Sequence, residues 1–361
     1  MTNPRVTLRS IAEVLGLHHS TVSRALKNDR RIPAETRERI LKLARELGYQ
    51  PDPMLSALMT YRKGRSAQER YRATLGWITN YPTRDGWREY EKNAYFRGAS
   101  RRAAELGYTL EEFWLAEPGL TQKRAIQILE ARNIHGLFFI PPPRSRAHLM
   151  LDWSRFAAIT FGRTLASPVF HNVDNDHFRS LAVLMRQLKR LGYRRPGFAS
   201  WPRIHESNDR AWTAAFGAYQ GLPPRDQIPV FMHQPWTPEA FRQWFLDYKP
   251  DVVVTHDETL LGWIENWGLK VPRDVGFVLA AKHGEASPRC SGIDENSEMV
   301  AEVAVNVLVD MINRGETGIP RQPISTMVEG RWIEGDTLRR QKPVATAVSE
   351  RTSRRDSLPL S

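Results

Sequence analysis

The chain has 361 residues, with 52 Lys+Arg against 40 Asp+Glu, a formal charge of +12, one cysteine and 41% hydrophobic residues. These proportions belong to a globular protein of two or three folding units and exclude a disordered chain, a collagen or a disulfide scaffold. No run of ~18 apolar residues offers a membrane span, and no apolar segment follows the first basic residues as in a secretory signal, so no membrane contact and a cytoplasmic location are expected. The charge is unevenly spread. Residues 1–65 carry +7 and residues 340–361 carry +3, which leaves +2 for everything between. A basic head on a nearly neutral body points to a polyanion as the head's partner, with nucleic acid foremost.

The first fifty residues read as three short helices. Leu8, Ile11, Ala12 and Leu15 recur at i, i+3, i+4, i+7, one apolar helix face. Thr7 is placed to cap that helix and Gly16 to stop it. A second helix is expected over 19–28, with Leu17, Val22, Ala25 and Leu26 turned inward. A third begins near Pro33, turns Ile40, Leu43, Ala44 and Leu47 inward, and ends at Gly48 and Pro51. Residues 53–59 have the length of about two helical turns, too short for a stable helix alone in water. Residues 62–72 are polar and charged and read as a linker.

From Thr74 the texture changes to alternating strands and helices. Strands are expected at 75–79, 108–115, 136–140, 156–161, 169–173, 197–200, 228–231, 252–255, 275–280 and 324–328. Helices are expected at 89–106, 122–132, 176–191, 207–219, 238–246, 258–267 and 296–314. Regular βα alternation over about 265 residues predicts an α/β body of two lobes, each a parallel sheet with helices on both faces. The expected division is a head over 1–51, a hinge and linker over 52–72, a two-lobed body over 73–340 and a disordered tail over 341–361.

Val6 to Leu26 form a helix–turn–helix pattern: a buried stripe on helix one, a glycine at the turn, and a second helix with one apolar and one polar face. The polar face is His19, Ser20, Ser23, Arg24 and Lys27. Such a helix fits the DNA major groove, where Arg can donate twice to guanine. These residues, together with Glu46-Leu47-Gly48-Tyr49-Gln50-Pro51, closely resemble the DNA-binding head of the lactose-repressor (LacI) family. The short helix and the αβ body also fit it.

The resemblance implies that His19, Ser20 and Arg24 read bases. It implies that Thr7, Thr21, Asn28 and Thr36 contact phosphate, and that Arg31 meets a base edge or phosphate. His18 departs from the family, which usually places a small hydroxyl cap there, so a phosphate contact is expected of it instead. Residues 53–59 match the hinge helix, two copies of which fold in the minor groove, with Leu55 beside Leu58 and Leu58 as the wedge between base steps. A homodimer on a palindromic operator follows, because one head reads a half-site.

The body resembles periplasmic binding protein-like effector domains, which take ligands between lobes at the carboxyl ends of their strands. Asn80, Tyr81, Trp87, Phe161, Trp201, Arg210, Trp236, His256 and Asp257 fall at those ends. Arg210 matches the family's effector-binding arginine. Aromatic faces with Arg and Asp suit a sugar-like effector. Asp257 could equally cap the helix after its strand. Gly162 stands where the lactose repressor has a ligand-binding Asp, and Ala280-Ala281-Lys282-His283 replaces a second such motif. A phosphorylated or acidic ligand therefore stays open.

The expected function is a ligand-controlled transcriptional regulator, a repressor in sign. The alternative is a solute-binding protein without DNA function. No Walker loop, G-x-S-x-G, H-E-x-x-H or close zinc constellation occurs, so no enzyme, cofactor or metal is expected.

Overall fold

The computed structural model describes residues 8–26, 31–47, 73–88, 92–143, 147–149, 151–282 and 287–341. Thr7, Asn28, Leu55 and Leu58, the linker and nearly all of the tail lie outside the described residues.

The head is built from α1 (Leu8–Leu15), α2 (His19–Leu26) and α3 (Ala34–Glu46). Their expected stripes meet in one small core of Ile11, Ala12, Val22, Ala25, Ile32, Ile40 and Ala44. Gly16 has φ +64°, a conformation that costs glycine nothing. It lets Leu17 N–H return to Ala12 O at 2.9 Å and Gly16 N–H to Glu13 O at 3.3 Å, so the chain turns into α2 with its carbonyls satisfied. Leu47, expected inward, is 38% exposed just past α3.

The body has two sheets. The first lobe uses β1 (Ala73–Thr79), β2 (Tyr108–Trp114), β3 (Gly136–Phe139), β5 (Ala157–Phe161), β7 (His171–Asn175) and β12 (Ser325–Val328). They run in the order β12-β7-β5-β3-β1-β2 and every pair is parallel. The two-residue β4 (Ala147–His148) and β6 (Leu165–Ser167) make a small separate ladder. Helices α4 (Lys92–Glu105), α5 (Gln122–Ala131) and α11 (Ser297–Arg314) belong to this lobe, with α4 and α11 packed against each other.

The second lobe orders β13 (Arg331–Ile333), β11 (Ser291–Asp294), β10 (Gly276–Lys282), β9 (Val252–Thr255) and β8 (Pro196–Ala199) side by side. All pairs are parallel except β11 with β13. Its helices are α6 (His177–Leu191), α7 (Pro202–Ser207), α8 (Ala211–Tyr219), α9 (Pro238–Tyr248) and α10 (Thr259–Asn266).

The expected two-lobed parallel α/β architecture is present, with local differences: β4, β6 and β11 occupy segments where no strand is expected. The helix expected over 207–219 begins later, as α8 at Ala211, and a separate helix, α7, precedes it over Pro202–Ser207. The strand expected at 228–231 is reduced to a single bridge, Ala199 to Phe231. An antiparallel β13 closes the second sheet. Parallel strands buried on both faces explain the near-continuous apolar runs, such as Val252-Val253-Val254. Each lobe has its own apolar clusters, centred on Trp77 and Phe138 in the first and on Phe198 and Phe277 in the second.

The chain passes between lobes three times, after Asn175, after Asp294 and after Val328. Asn175 ties these crossings together: its Nδ2 donates to Glu295 O and to Val328 O, both at 3.1 Å.

Candidate nucleic-acid interface and ligand cleft

On α2 the apolar positions Val22 and Ala25 are buried, which leaves His19, Ser20 and Arg24 on the outer face. Thr21 and Thr36 are half-buried, and Arg31 is exposed just before Ile32. The exposed side chains thus present an imidazole and a hydroxyl on the first turn and a guanidinium on the next, a surface suited to base edges and phosphates. His18 differs from expectation. Its Nδ1 lies 2.8 Å from Ser20 Oγ and 3.4 Å from Ser20 N, so its ring turns back onto the helix start.

In the body, the carboxyl ends of the two sheets approach each other where Arg163, just after β5, meets Asp209 ahead of α8 at 3.3 Å. Asn80 lines a small cavity at the ends of β1, β3 and β5, with Phe161, Thr160 and Thr164. Tyr81 and Trp87, expected to face ligand, are core residues instead. Tyr81 is 2% exposed with its hydroxyl donating to Pro141 O at 2.9 Å. Trp87 is fully buried against Trp77 and Phe96. Burying two large rings gains more than lining a wet cleft would, since each removes roughly 150–250 Å² from water. Phe161 is also almost wholly buried, stacked on Phe138 and Tyr95.

Across the cleft, Trp201 and Trp236 are half-buried with ring centroids 5.9 Å apart. Asp257 takes the capping role. Its Oδ1 accepts from Thr259 N at 2.9 Å and Thr259 Oγ1 at 2.7 Å, while Oδ2 accepts from Trp236 Nε1 at 2.9 Å. Both oxygens are engaged, so Asp257 orients Trp236 and α10. His256 lies within 3.3 Å of Ser200 Oγ and edge-on to Trp212. Arg210 is exposed at the head of α8 with φ +62°, next to Asp209 at +50°. Two successive left-handed non-glycine residues are strained, and such strain gathers at functional loops. Thr213 Oγ1 holds the turn by donating to Arg210 O at 3.0 Å.

Sequence reasoning missed the charged group where the lobes cross. His177, at the first turn of α6, lies 3.6 Å from Asp174 Oδ1 and 3.3 Å from Glu295 Oε1. Burial alone would lower its pKa, but the two carboxylates, Asp174 first, outweigh this and hold it at about 10. The Trp212 ring lies 5.1 Å from the imidazole. Nothing in the run Val173-Asp174-Asn175-Asp176-His177 marks it in sequence, because the third partner is 118 positions away. The single thiol, Cys290, is pushed up to about 12, chiefly by burial and then by Glu258, which leaves it unreactive at neutral pH.

A helix–turn–helix head on a two-lobed periplasmic-binding-type body is the architecture of a DNA-binding regulator. The comparisons agree. The model of the bacterial regulatory proteins, lacI family, matches residues 7–52. That of the periplasmic binding protein-like domain matches residues 185–338. The chain belongs to the lacI family and is a DNA-binding transcriptional regulator.

Among its relatives, the HTH-type transcriptional regulator MalR of Streptococcus pneumoniae is 23% identical over 85% of this chain and 93% of its own. CelR of Thermobifida fusca is 23% identical over 90% and 96%. AglR of Rhizobium meliloti is 47% identical over 15% of each chain. Among solved structures, a transcriptional regulator CelR–cellobiose complex superposes with a TM-score of 0.52 at 18% identity, covering 92% of this chain and 100% of that one. A lac repressor dimer bound to operator and an anti-inducer superposes with a TM-score of 0.51 at 17% identity, covering 93% and 99%. Among the described residues no helix is long and apolar enough to cross a membrane, and no group of three or more His, Cys, Asp or Glu is arranged to hold a metal ion.

Proposed function

We propose that this protein is a homodimeric repressor that binds a palindromic operator and releases or tightens on it as a small carbohydrate-like effector enters the cleft between the lobes. Residues 1–51 read DNA, 52–72 connect, and 73–340 sense and dimerise. The observation that carries the reading is the outer row His19, Ser20 and Arg24 on α2, laid over a buried Val22–Ala25 stripe. Arg24 takes a base edge, and Thr21, Thr36 and Arg31 hold the backbone. Thr7, Asn28, Leu55 and Leu58 keep the roles that the family resemblance implies. The effector site uses Arg210, Trp201, Trp236, His256 and Asn80 around the cleft mouth. Half-buried aromatic faces beside donors fit a hydroxylated ring, and cellobiose is the ligand named with CelR.

The test is selection of duplexes from a random pool with the full chain, followed by binding at several salt concentrations. A palindromic consensus is expected, with log affinity falling linearly in log salt. Arg24→Ala should weaken the selected duplex by about 1–3 kcal/mol and relax one base position. Recovery of no duplex, or affinity indifferent to salt, defeats the reading.

A further inference from the structure

A helix start leaves backbone N–H groups without intrahelical acceptors, and a side chain ahead of the first turn commonly supplies one. Ahead of α2 that side chain is His18. Its carbonyl takes Thr21 N–H at 2.9 Å and Val22 N–H at 3.3 Å, the backbone pattern of a capping residue. Its Nδ1 faces Ser20 N at 3.4 Å and Ser20 Oγ at 2.8 Å. A backbone N–H can only donate, so Nδ1 is the acceptor and carries no proton. In a neutral imidazole the proton then sits on Nε2, and the Ser20 hydroxyl also donates to Nδ1. The His19 ring, with its centroid 4.2 Å from that of His18, limits the ring's rotation from one side.

We propose that His18 is the positioning residue of the DNA-reading helix. Through the Nδ1 lone pair it fixes where α2 begins, and hence the rotational phase at which His19, Ser20 and Arg24 meet the bases. The proposal rests on the reading of α2 as that helix. A cap and a phosphate anchor use different atoms of the ring: the cap needs the Nδ1 lone pair, the anchor an N–H such as Nε2–H or a positive charge, and the contacts seen here engage Nδ1. Ser20 is tied in as well, since its hydroxyl is spent on the imidazole when DNA is absent.

The experiment uses the full chain, the duplex recovered by the wild-type protein and an unrelated duplex as control. His18→Ala is expected to weaken the selected duplex about fivefold, the effect of one lost cap, with little change on the control. His18→Ser and His18→Asn, which bring an oxygen to the same N–H, are expected within twofold of wild type. His18→Lys, a cation with no acceptor, should weaken binding as Ala does. The slope of log affinity against log salt should be the same for all.

The proposal falls if His18→Lys binds as well as wild type while Ala and Ser each lower the salt slope by about one, the mark of a phosphate contact. It also falls if His18→Ala binds unchanged. Should the wild-type protein recover no duplex, the DNA reading fails separately. Capping is then decided by amide exchange at Ser20: faster in His18→Ala than in His18→Ser supports it, and equal rates reject it.

Discussion

His177 sits between two carboxylates drawn from different stretches of chain, Asp174 at the end of β7 and Glu295 after β11. A buried cation of this kind is held by its partners and not by solvent. Removing it leaves two acids facing each other, which costs roughly 3–5 kcal/mol for a broken buried pair. The pH dependence follows from the sign of the shift. The folded-state value of about 10 lies above the ordinary 6.5, so the contribution is fully present below pH 6.5 and is lost as pH rises through 10. Denaturant titrations should show wild-type stability falling across that window. His177→Gln should be less stable at neutral pH and nearly flat over the same window. A parallel fall in both proteins would exclude His177 as the titrating group. Arg210 and Asp209 make a second lesson at this scale. Their side chains are legible as polar loop residues, but their positive φ is not, because neither is Gly or Asn. That is why the expected helix over 207–219 runs through the turn at Asp209 and Arg210, whereas α8 begins only at Ala211.

Between elements, α4 packs closely on α11. Gly98 lies against the backbone of Glu298, and a Cβ at position 98 would stand 2.8 Å from Glu298 Cα and nearer still to its carbonyl oxygen. Ala99 and Ala103 continue the small face. Arg97 and Arg101 reach the Glu298 carboxylate at 3.0 and 2.9 Å, but these pairs are partly exposed and solvent screens them, so they add little. Close packing therefore dominates, and Gly98→Ala must push the helices apart. A loss of about 1–3 kcal/mol is expected in denaturant unfolding, against under 1 kcal/mol for Arg97→Ala. Most of these elements were readable: helical stripes in the head, apolar runs in the parallel strands, and glycine stops such as Gly16. β11 and β13 were not: Ser291–Asp294 and Arg331–Ile333 have no apolar run of their own and become strands by pairing, β11 with β10 and β13 with β11. The inward turn of Tyr81 and Trp87 was not either. Aromatic residues after a strand look the same whether a cleft or a core receives them, and the core gives the larger burial.

At the scale of the molecule, two lobes with separate apolar clusters are joined by three crossings, and Asn175 is where those crossings share hydrogen bonds. The amide is 2% exposed. Both acceptors on Nδ2 are carbonyls, so its orientation is forced. Its Oδ1 takes the Ser180 hydroxyl at 2.9 Å, and Ser180 Oγ accepts Gly330 N–H at 3.2 Å beside the third crossing. One side chain thus couples the backbone of all three passages, and any change in the angle between lobes must strain or exchange these bonds. Asn175→Ala leaves Glu295 O without this buried donor and Val328 O with only Asp176 N–H at 2.8 Å. The cost is about 1–3 kcal/mol, small beside the packing within either lobe. Its effect should therefore fall on the coupling between lobes more than on their individual stability. In calorimetry the wild-type body is expected to unfold as one transition and the Asn175→Ala body as two, because each lobe keeps its own core while losing its tie to the other. A single transition merely shifted to lower temperature would mean that the lobes are coupled elsewhere. The coupling would then run through the His177 group and the Arg163–Asp209 pair across the cleft mouth.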